Sequence, residues 1–575
     1  MLPHRNIESR LQSAVKAVLP EADVTGVLVR PCPDPRFGDY QSNALMSLAK
    51  AHKMNPRQLA TDVLAKLEVS EWCENVEIAG AGFLNFRLKT AALIEALRLA
   101  AAGEHRFFER APNPRTVVVD FSSPNVAKPM HVGHIRSTVL GDSLARVLRL
   151  LGHRVITDNH IGDWGTQFGK LLVGWKQHLD KTALEADPIA EMERLYKLVN
   201  SASEADAAVL ELARAELVKL QRGDEENLRI WREMIALSQH QFDTIYGRLG
   251  VRFDHTLGES FYNPRLAQVV EDLKERGIAR ESEGATVIFF ENNPQLKSHP
   301  ALVQKSDGAF NYASTDLATL EYRMENWKPT DIVYVTDGRQ QLHFQQIFAA
   351  FKLSHPELQT RLAHVWFGSI LGDDGKPFKT RSGETVKLSD LLNEAEERAF
   401  EVVTVKSPEK PEVERREIAR IIGIGAVKYA DLLPNRQSDY IFSWDKMLAL
   451  SGNTAPYLQY AYARIQSIFR KGGLTGEHSA RNAALNLSAP EEITLAKQLL
   501  NFGLVLEAVG DEYRPNFLCN YLYELAGNFT SFYENCPVLK SEENQRASRL
   551  TLCHLTAETL KQGLDLLGIE VLEQM

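Results

Sequence analysis

A β-branched run, Thr116-Val-Val-Val-Asp-Phe121, precedes His131-Val-Gly-His134 and then a series of apolar residues at helical spacing. No other feature constrains the fold as tightly. Ile135, Val139, Leu140, Leu144, Val147, Leu148 and Leu151 recur on one face and stop at Gly152. The stretch therefore reads as a buried strand leading into a helix. Two imidazoles and a glycine stand at the turn between them. A helix N-terminus offers unpaired N–H groups and a positive dipole end, both favourable to phosphate. Two histidines can donate hydrogen bonds to a phosphate that gains charge, and Gly133 lets a flat nucleotide come close to the backbone. The chemistry indicated is attack on an α-phosphate. The other reading, half of a metal site, lacks a Cys or carboxylate at ligand spacing beside the pair.

The 575 residues suffice for about three domains, enough for a full enzyme core. Lys plus Arg number 66 against 75 Asp plus Glu, a net charge of −9. The bulk field repels nucleic acid, so any RNA partner must meet local basic surfaces. On this reading no apolar run is long enough to span a bilayer, and no membrane association is expected. Near the N-terminus, Arg5, Glu8, Arg10, Lys16 and Glu21 suit an amphipathic helix rather than a signal peptide. Five scattered cysteines without metal spacing fit a reducing compartment, and the expected location is cytoplasmic.

Residues 1–112 form a first unit that ends in Ala111-Pro-Asn-Pro114, a linker-like stretch. From 113 to 440 the pattern is α/β, with further candidate strands at His153–Asn159, Ile332–Thr336 and His364–Ile370. Ligands of open parallel sheets bind at the carboxyl ends of strands, so the polar clusters there are where chemistry would sit. A helical insertion from about 175 to 250 reads as an amphipathic hairpin, Ala207–Leu220 and Leu228–Leu249. A further segment, about 370 to 440, includes an exposed charged loop around Lys406–Glu412. Residues 441–575 read as a separate helical bundle.

Ser123-Pro-Asn-Val-Ala-Lys-Pro-Met-His-Val-Gly-His134 and Asp158-Asn-His-Ile-Gly-Asp-Trp-Gly-Thr-Gln-Phe-Gly169, with Phe378-Lys-Thr-Arg-Ser-Gly383 and Asn453-Thr-Ala-Pro-Tyr-Leu-Gln-Tyr460, carry a resemblance. Together they resemble the class I arginyl-tRNA synthetases of bacterial type, over nearly the whole chain and in order. The resemblance implies a Rossmann-like α/β catalytic domain with a helical insertion. It also implies an N-terminal α+β addition domain and a C-terminal all-α anticodon-binding bundle. It implies ATP-dependent activation of L-arginine to arginyl-adenylate, release of pyrophosphate, and transfer to the terminal adenosine of tRNA(Arg). Activation is expected to depend on bound tRNA, with Mg²⁺ accompanying ATP, no metal caged by protein, and a monomeric enzyme.

By the same resemblance His131 and His134 donate to ATP, and Gly133 lies under the adenosine. The usual Lys-Met-Ser-Lys-Ser loop is replaced by Phe378-Lys379-Thr380-Arg381-Ser382, so Lys379, Thr380, Arg381 and Ser382 would meet the β- and γ-phosphates. Lys128 would stand in for the lysine that Arg381 replaces; alone it would read as a solvated loop lysine. Gly375, Gly383 and Asp373-Asp374 suit a loop that must move. A guanidinium substrate demands carboxylates in fork geometry with neutral acceptors. The resemblance assigns Asp316 and Tyr312, four residues apart on one helical face, and Glu259, Asn125 and Gln340. Asp163 and Trp164 would shape the pocket floor. By composition alone each acid is equally a surface charge or a cap.

Phe37, Gln41 and Asn43 resemble the tRNA-contacting part of the addition domain, being types that stack on or hydrogen-bond to splayed bases. The same segment also suits a turn with Asp39 as an N-cap. In the C-terminal bundle Tyr457, Tyr460, Tyr462, Arg464, Phe469, Arg470 and Lys471 interleave aromatics with cations, as base stacking with phosphate neutralisation requires. Half of those aromatics must be core, and Tyr460 and Arg464 are the chosen tRNA contacts. Asn528, Phe532 and Tyr533 are further candidates. Three rivals stay open: another class I synthetase, a small adenylate-forming nucleotidyltransferase, and a tRNA-binding paralogue without catalysis.

Overall fold

The computed structural model describes residues 2–379, 385–474 and 485–575. It divides into two compact units, Pro112–Leu448 and a second made of Met1–Ala111 together with Ala449–Met575. At the centre of the first lies a four-stranded parallel sheet. Its strands run in the order Arg361–His364, Asp331–Val335, Thr116–Phe121, Arg154–Asp158. Val117, Val118, Val119, Ile332 and Val333 are buried on both faces, the near-continuous apolar pattern of a sheet covered by helices. The helix Val132–Leu150 returns along the sheet from the strand Thr116–Phe121. Gly141 lets it approach: a Cβ there would sit 2.1 Å from the Phe121 ring.

The third strand ends earlier than the sequence suggests. It spans Arg361–His364, not His364–Ile370. Past Val365 the chain leaves the sheet edge, and Gly368 packs against Ser438 and Asp439 so closely that a Cβ would meet backbone at 2.8 Å. Ile370–Leu371 then pairs with Tyr440–Ile441 in a separate two-stranded sheet.

The insertion is larger than the hairpin read from sequence. Gln167–His178, Pro188–Ala205, Ala207–Gln221 and Glu225–Leu249 pack against one another as four helices. The first of them begins inside a signature motif, which concealed it. Gly169 makes the crossing possible, since a Cβ at this position would stand 2.2 Å from the Ala213 carbonyl oxygen.

One buried cation ties the sheet to the helix Tyr312–Asn326. Asp120 and Asp158 face each other in register on adjacent strands. Arg323 reaches both, at 2.5 Å and 2.8 Å, and is fully buried. Like charges side by side in a dry interior repel strongly, and the guanidinium between them removes that repulsion.

In the second unit, Tyr40–Ser42, Phe83–Leu88 and Cys73–Ala79 form an antiparallel sheet with Arg30–Pro31 at its edge. Ala455–Lys471, Pro490–Leu500, Phe502–Glu512, Asn516–Asn535 and Glu543–Leu566 build a helical bundle. Pro490–Glu512 is apolar enough over 18 residues to pass for a membrane span by length and hydropathy, although charged residues such as Lys497 and Glu507 interrupt it. The bundle instead breaks it at Asn501 and buries Leu495, Leu499, Leu504 and Leu506.

Arg323→Met is expected to destabilise the Pro112–Leu448 unit by about 3–5 kcal/mol, because it leaves two carboxylates buried together. Adding Asp120→Asn and Asp158→Asn should recover most of that loss. Denaturant midpoints of the three proteins check both statements.

Candidate active site

The link between the first strand and the signature helix is strained. Ser122, Ser123 and Ala127 all adopt left-handed backbone conformations, which cost non-glycine residues of order 1 kcal/mol or more each. Side chains hold the loop there. Ser137 Oγ accepts from the Ser122 N–H at 2.8 Å, and the Ser122 hydroxyl is 2.8 Å from Thr138 Oγ1 and Tyr246 Oη. Asn159 Oδ1 accepts from the Ser123 N–H at 3.0 Å and Ser238 Oγ from the Ala127 N–H at 2.9 Å. Tyr246 and Ser238 both come from the last insertion helix, so the insertion braces the loop between the strand and the signature helix.

His131 is the N-cap of the signature helix. Its Nδ1 accepts from the Gly133 N–H at 3.1 Å, while His134 Nδ1 accepts from the His131 N–H at 3.0 Å. The rings lie 3.9 Å apart. An Nδ1 that accepts is unprotonated, so each neutral imidazole carries its hydrogen on Nε2. Burial lowers the pKa of both, with Arg339 and Lys128 adding to the effect at His131; His134 falls to about 3. The first helical N–H groups are committed. Val132 donates to the Val386 carbonyl at 2.9 Å, Gly133 to His131 Nδ1, and His134 to the His131 carbonyl at 2.8 Å. This corrects the expectation of unpaired amides: the side-chain cap, the Val386 carbonyl and the His131 carbonyl engage them, and the neutral donors left on this pair are the two Nε2–H groups.

Cations gather around this pair. Lys128 is exposed, with its ammonium 5.5 Å from the Tyr196 ring centroid of the insertion. Arg339 is held by Asp337 at 2.8 Å and 3.0 Å. Lys379 is exposed and bridges Thr385. Thr380, Arg381, Ser382 and Gly383 lie outside the described residues. Just after them, the Leu388 N–H donates to the Met130 carbonyl at 2.9 Å, and Lys387 bridges His131, so this segment is anchored at the signature. Gly375 sits in a hydrogen-bonded turn, where Gly372 donates to Lys376, and Phe378 stacks on Phe442 at 4.5 Å.

A cluster of acids forms around Glu259, which feels the charges of Asp316 and Asp163. Asn125 is laced to Gly162, where a Cβ would sit 2.2 Å from Asn125 Oδ1. Glu259 opens the helix Glu259–Glu275. Burial raises its pKa to about 7, with Asp316 and Asp163 pushing the same way against His160 and the Trp164 backbone N–H. Asp163 accepts from Ser260 N–H and Oγ at 2.8 Å and 2.6 Å, and its backbone carbonyl accepts from Trp231 at 2.9 Å. Trp164 packs edge-on against Trp231. Asp316 bonds His343 at 2.5 Å. Tyr312 is 70% exposed at the first turn of the same helix as Asp316, and Gln340 is exposed in the short 3-10 turn Gly338–Gln340. Among the described residues, Tyr262 Oη, Tyr334 Oη and His160 Nδ1 are buried without a hydrogen-bond partner. The electrostatic coupling brings Glu259, Asp316, Asp163 and His160 together.

Sequence reasoning passed over Arg339, His160, His343 and Tyr196. The first three lie in segments it had flagged, at the carboxyl ends of strands. Tyr196 carried no signal, because its partner Lys128 is distant in sequence.

In the other unit Phe37 is 57% exposed with Arg36 at its face. Gln41 is paired within the Tyr40–Ser42 strand, and Asn43 is exposed at the start of a helix. Asp39 is no N-cap: it accepts from Leu88 N–H at 2.7 Å and pairs with Lys497 at 2.7 Å. A cleft of about 710 Å³ is lined by Tyr460, Arg464, Arg470, Lys471, Tyr533 and Lys540. Arg464 lies over Tyr533 at 4.4 Å. Tyr460 is exposed, whereas Tyr462 and Phe469 are core.

Residues 98–444 match the family described as tRNA synthetases class I (R), catalytic domain. The chain belongs to the class I arginyl-tRNA synthetases. Residues 5–88 of the synthetase match the arginyl tRNA synthetase N terminal domain, and 458–575 the DALR anticodon binding domain. It is 46% identical to an arginine–tRNA ligase of Hahella chejuensis, over 99% of this chain and 100% of that protein. It is also 46% identical to one of Synechococcus elongatus, covering 100% of both. Among solved structures, the Thermus thermophilus arginyl-tRNA synthetase superposes with a TM-score of 0.85 at 27% identity, covering 100% of both chains. That of Plasmodium falciparum gives 0.84 at 30% identity, covering 100% of this chain and 99% of the other.

The low pKa of His134 has a sign that can be measured. The folded state holds it neutral below the ordinary value of 6.5, so its contribution to stability is complete above pH 6.5 and is lost as pH falls toward 3. Replacing it by Asn, whose Oδ1 can still accept from the His131 N–H, should reduce the proton uptake on unfolding in that window by one. Denaturant titrations at several pH values give the count.

Proposed function

We propose that the synthetase joins L-arginine to tRNA(Arg) in two steps, using ATP as substrate accompanied by Mg²⁺. The observation that carries the reading is the capped histidine pair: two neutral imidazoles with Nε2–H donors at a helix N-terminus. Attack by the arginine carboxylate on the α-phosphorus builds negative charge on the non-bridging oxygens of that phosphate, and fixed donors there stabilise the transition state more than the ground state. His131 and His134 fill this role, with Gly133 beneath the adenosine. Lys128, Lys379 and Arg381, with Thr380 and Ser382, neutralise the departing pyrophosphate.

Asp316 and Glu259 receive the guanidinium, with Tyr312, Gln340 and Asn125 orienting the substrate. Two carboxylates in a half-buried cleft favour a delocalised cation over a compact ammonium, which supports arginine over lysine. Phe37, Gln41 and Asn43 touch the outer corner of the tRNA, and Tyr460 and Arg464 its anticodon arm. The free cysteines, four of them buried, agree with a reducing cytoplasm, and the enzyme acts as a monomer without membrane attachment.

Charging of total bacterial tRNA with each of the twenty amino acids in turn is expected to succeed with arginine alone. Charging with another amino acid would overturn the pocket assignment. Pyrophosphate exchange with arginine should require added tRNA. His134→Asn retains the capping acceptor but loses the Nε2–H donor, so exchange should slow by at least about 30-fold, roughly 2 kcal/mol. An unaltered rate would remove the role given to His134.

A further inference from the structure

The acid assigned to the substrate already has a partner. His343 Nε2 lies 2.5 Å from Asp316 Oδ2, both side chains being partly buried. His343 stands in the first turn of the helix Gln341–Ser354, three residues beyond Gln340. Its ring meets Phe344 edge-on, at 5.4 Å. The groups that face the pair are few. Glu259 approaches Asp316 from the helix Glu259–Glu275, and Tyr334 from the central strand. His364, on the neighbouring strand, faces His343 and is bonded to Thr336 at 2.8 Å. Burial works to lower the His343 pKa, but the hydrogen bond and charge of Asp316 outweigh it and the net shift is upward. His364 moves the other way, to about 4, through burial, Arg436 and His343.

We propose that His343 is a positioning residue that occupies Asp316 in the empty pocket and yields its carboxylate oxygen to the substrate guanidinium, so that arginine binding expels a proton. The proposal rests on the reading that Asp316 receives arginine. Each carboxylate oxygen can accept two hydrogen bonds, but an imidazolium at 2.5 Å and a bidentate guanidinium on the same carboxylate would crowd two cations against one negative charge. Once the permanent cation has taken the carboxylate, an imidazolium beside it loses its counter-charge and meets a like charge. The Nε2–H···O bond breaks, two guanidinium N–H···O bonds form, and one proton passes from the imidazolium to solvent. The free pocket is thereby kept from standing as an unpaired pair of acids, and its carboxylate keeps its orientation until the substrate arrives.

Calorimetric titration of the full chain with L-arginine, repeated in buffers of different ionisation enthalpy near pH 6.5, counts the protons released. The arginine KM for tRNA charging, followed from pH 6 to 8.5, gives a second readout. The wild type should release protons, and its arginine KM should fall by up to tenfold per pH unit on the acidic side. His343→Gln and His343→Asn keep a neutral donor to Asp316. They should release one proton fewer and flatten the KM profile by the same step, while the pH profile of the ATP KM stays in place. Glu259 can also lose a proton to a bound cation, so Glu259→Gln serves as the control and should keep the His343-dependent proton. Equal proton counts and equal KM profiles in the wild type and the His343 variants would overturn the proposal, as would arginine binding by Glu259→Gln without proton release. A wild type that neither binds nor charges arginine would instead overturn the functional reading itself.

Discussion

A single guanidinium shared by two carboxylates sets the geometry of the catalytic unit. Asp120 and Asp158 end adjacent parallel strands in register, and without Arg323 the repulsion between them would push those ends apart. The bridge has a functional position. Asp120 precedes the loop that carries Asn125, Lys128 and His131; Asp158 precedes the segment with His160 and Asp163; Arg323 lies on the helix that begins with Tyr312 and Asp316. One ion network thus fixes relative to each other the three segments to which the proposed nucleotide and guanidinium contacts belong. Buried salt bridges are weak sources of stability, but they are exacting about direction, and direction is what a site assembled from three segments requires.

The strained loop shows a related division of labour. Left-handed Ser122, Ser123 and Ala127 would relax in isolation, and the side chains that prevent it come from the signature helix, the next strand and the insertion. The insertion is therefore part of the framework that holds this loop in shape. Its Tyr246 reaches the Ser122 hydroxyl and Asn159, and its Tyr196 lies under Lys128. Movement of these helices would be felt first at the loop that carries the lysine.

The α/β fold class and the strand-to-helix turn at His131 were legible in the chain, because β-branched runs and helical periodicity report directly on burial. So was the C-terminal bundle. The strand near residue 364 was displaced because Trp366 and Phe367 are apolar yet leave the sheet, which periodicity cannot distinguish from continuing in it. The helix Gln167–His178 was hidden by the motif it begins in, and its partners Ala213 and Leu195 are visible only once the chain is folded. The acid positions could be reached only through family resemblance. Glu259 and Asp316 sit among many similar acids in sequence, and their joint environment arises from segments more than fifty residues apart. The His343 contact to Asp316 is likewise invisible to any local pattern.

The reciprocal cap at His131 and His134 has a consequence for selectivity among anions. Backbone amides at an open helix end attract sulfate, inorganic phosphate and nucleotides with little distinction. Here those amides are engaged by the chain itself. What remains is a pair of uncharged donors whose attraction grows with the charge on the oxygen they meet. Such donors hold an oxygen that is gaining charge more strongly than one at rest. In a cell rich in free phosphate and spent nucleotides, a closed helix end offers those anions less than open amides would.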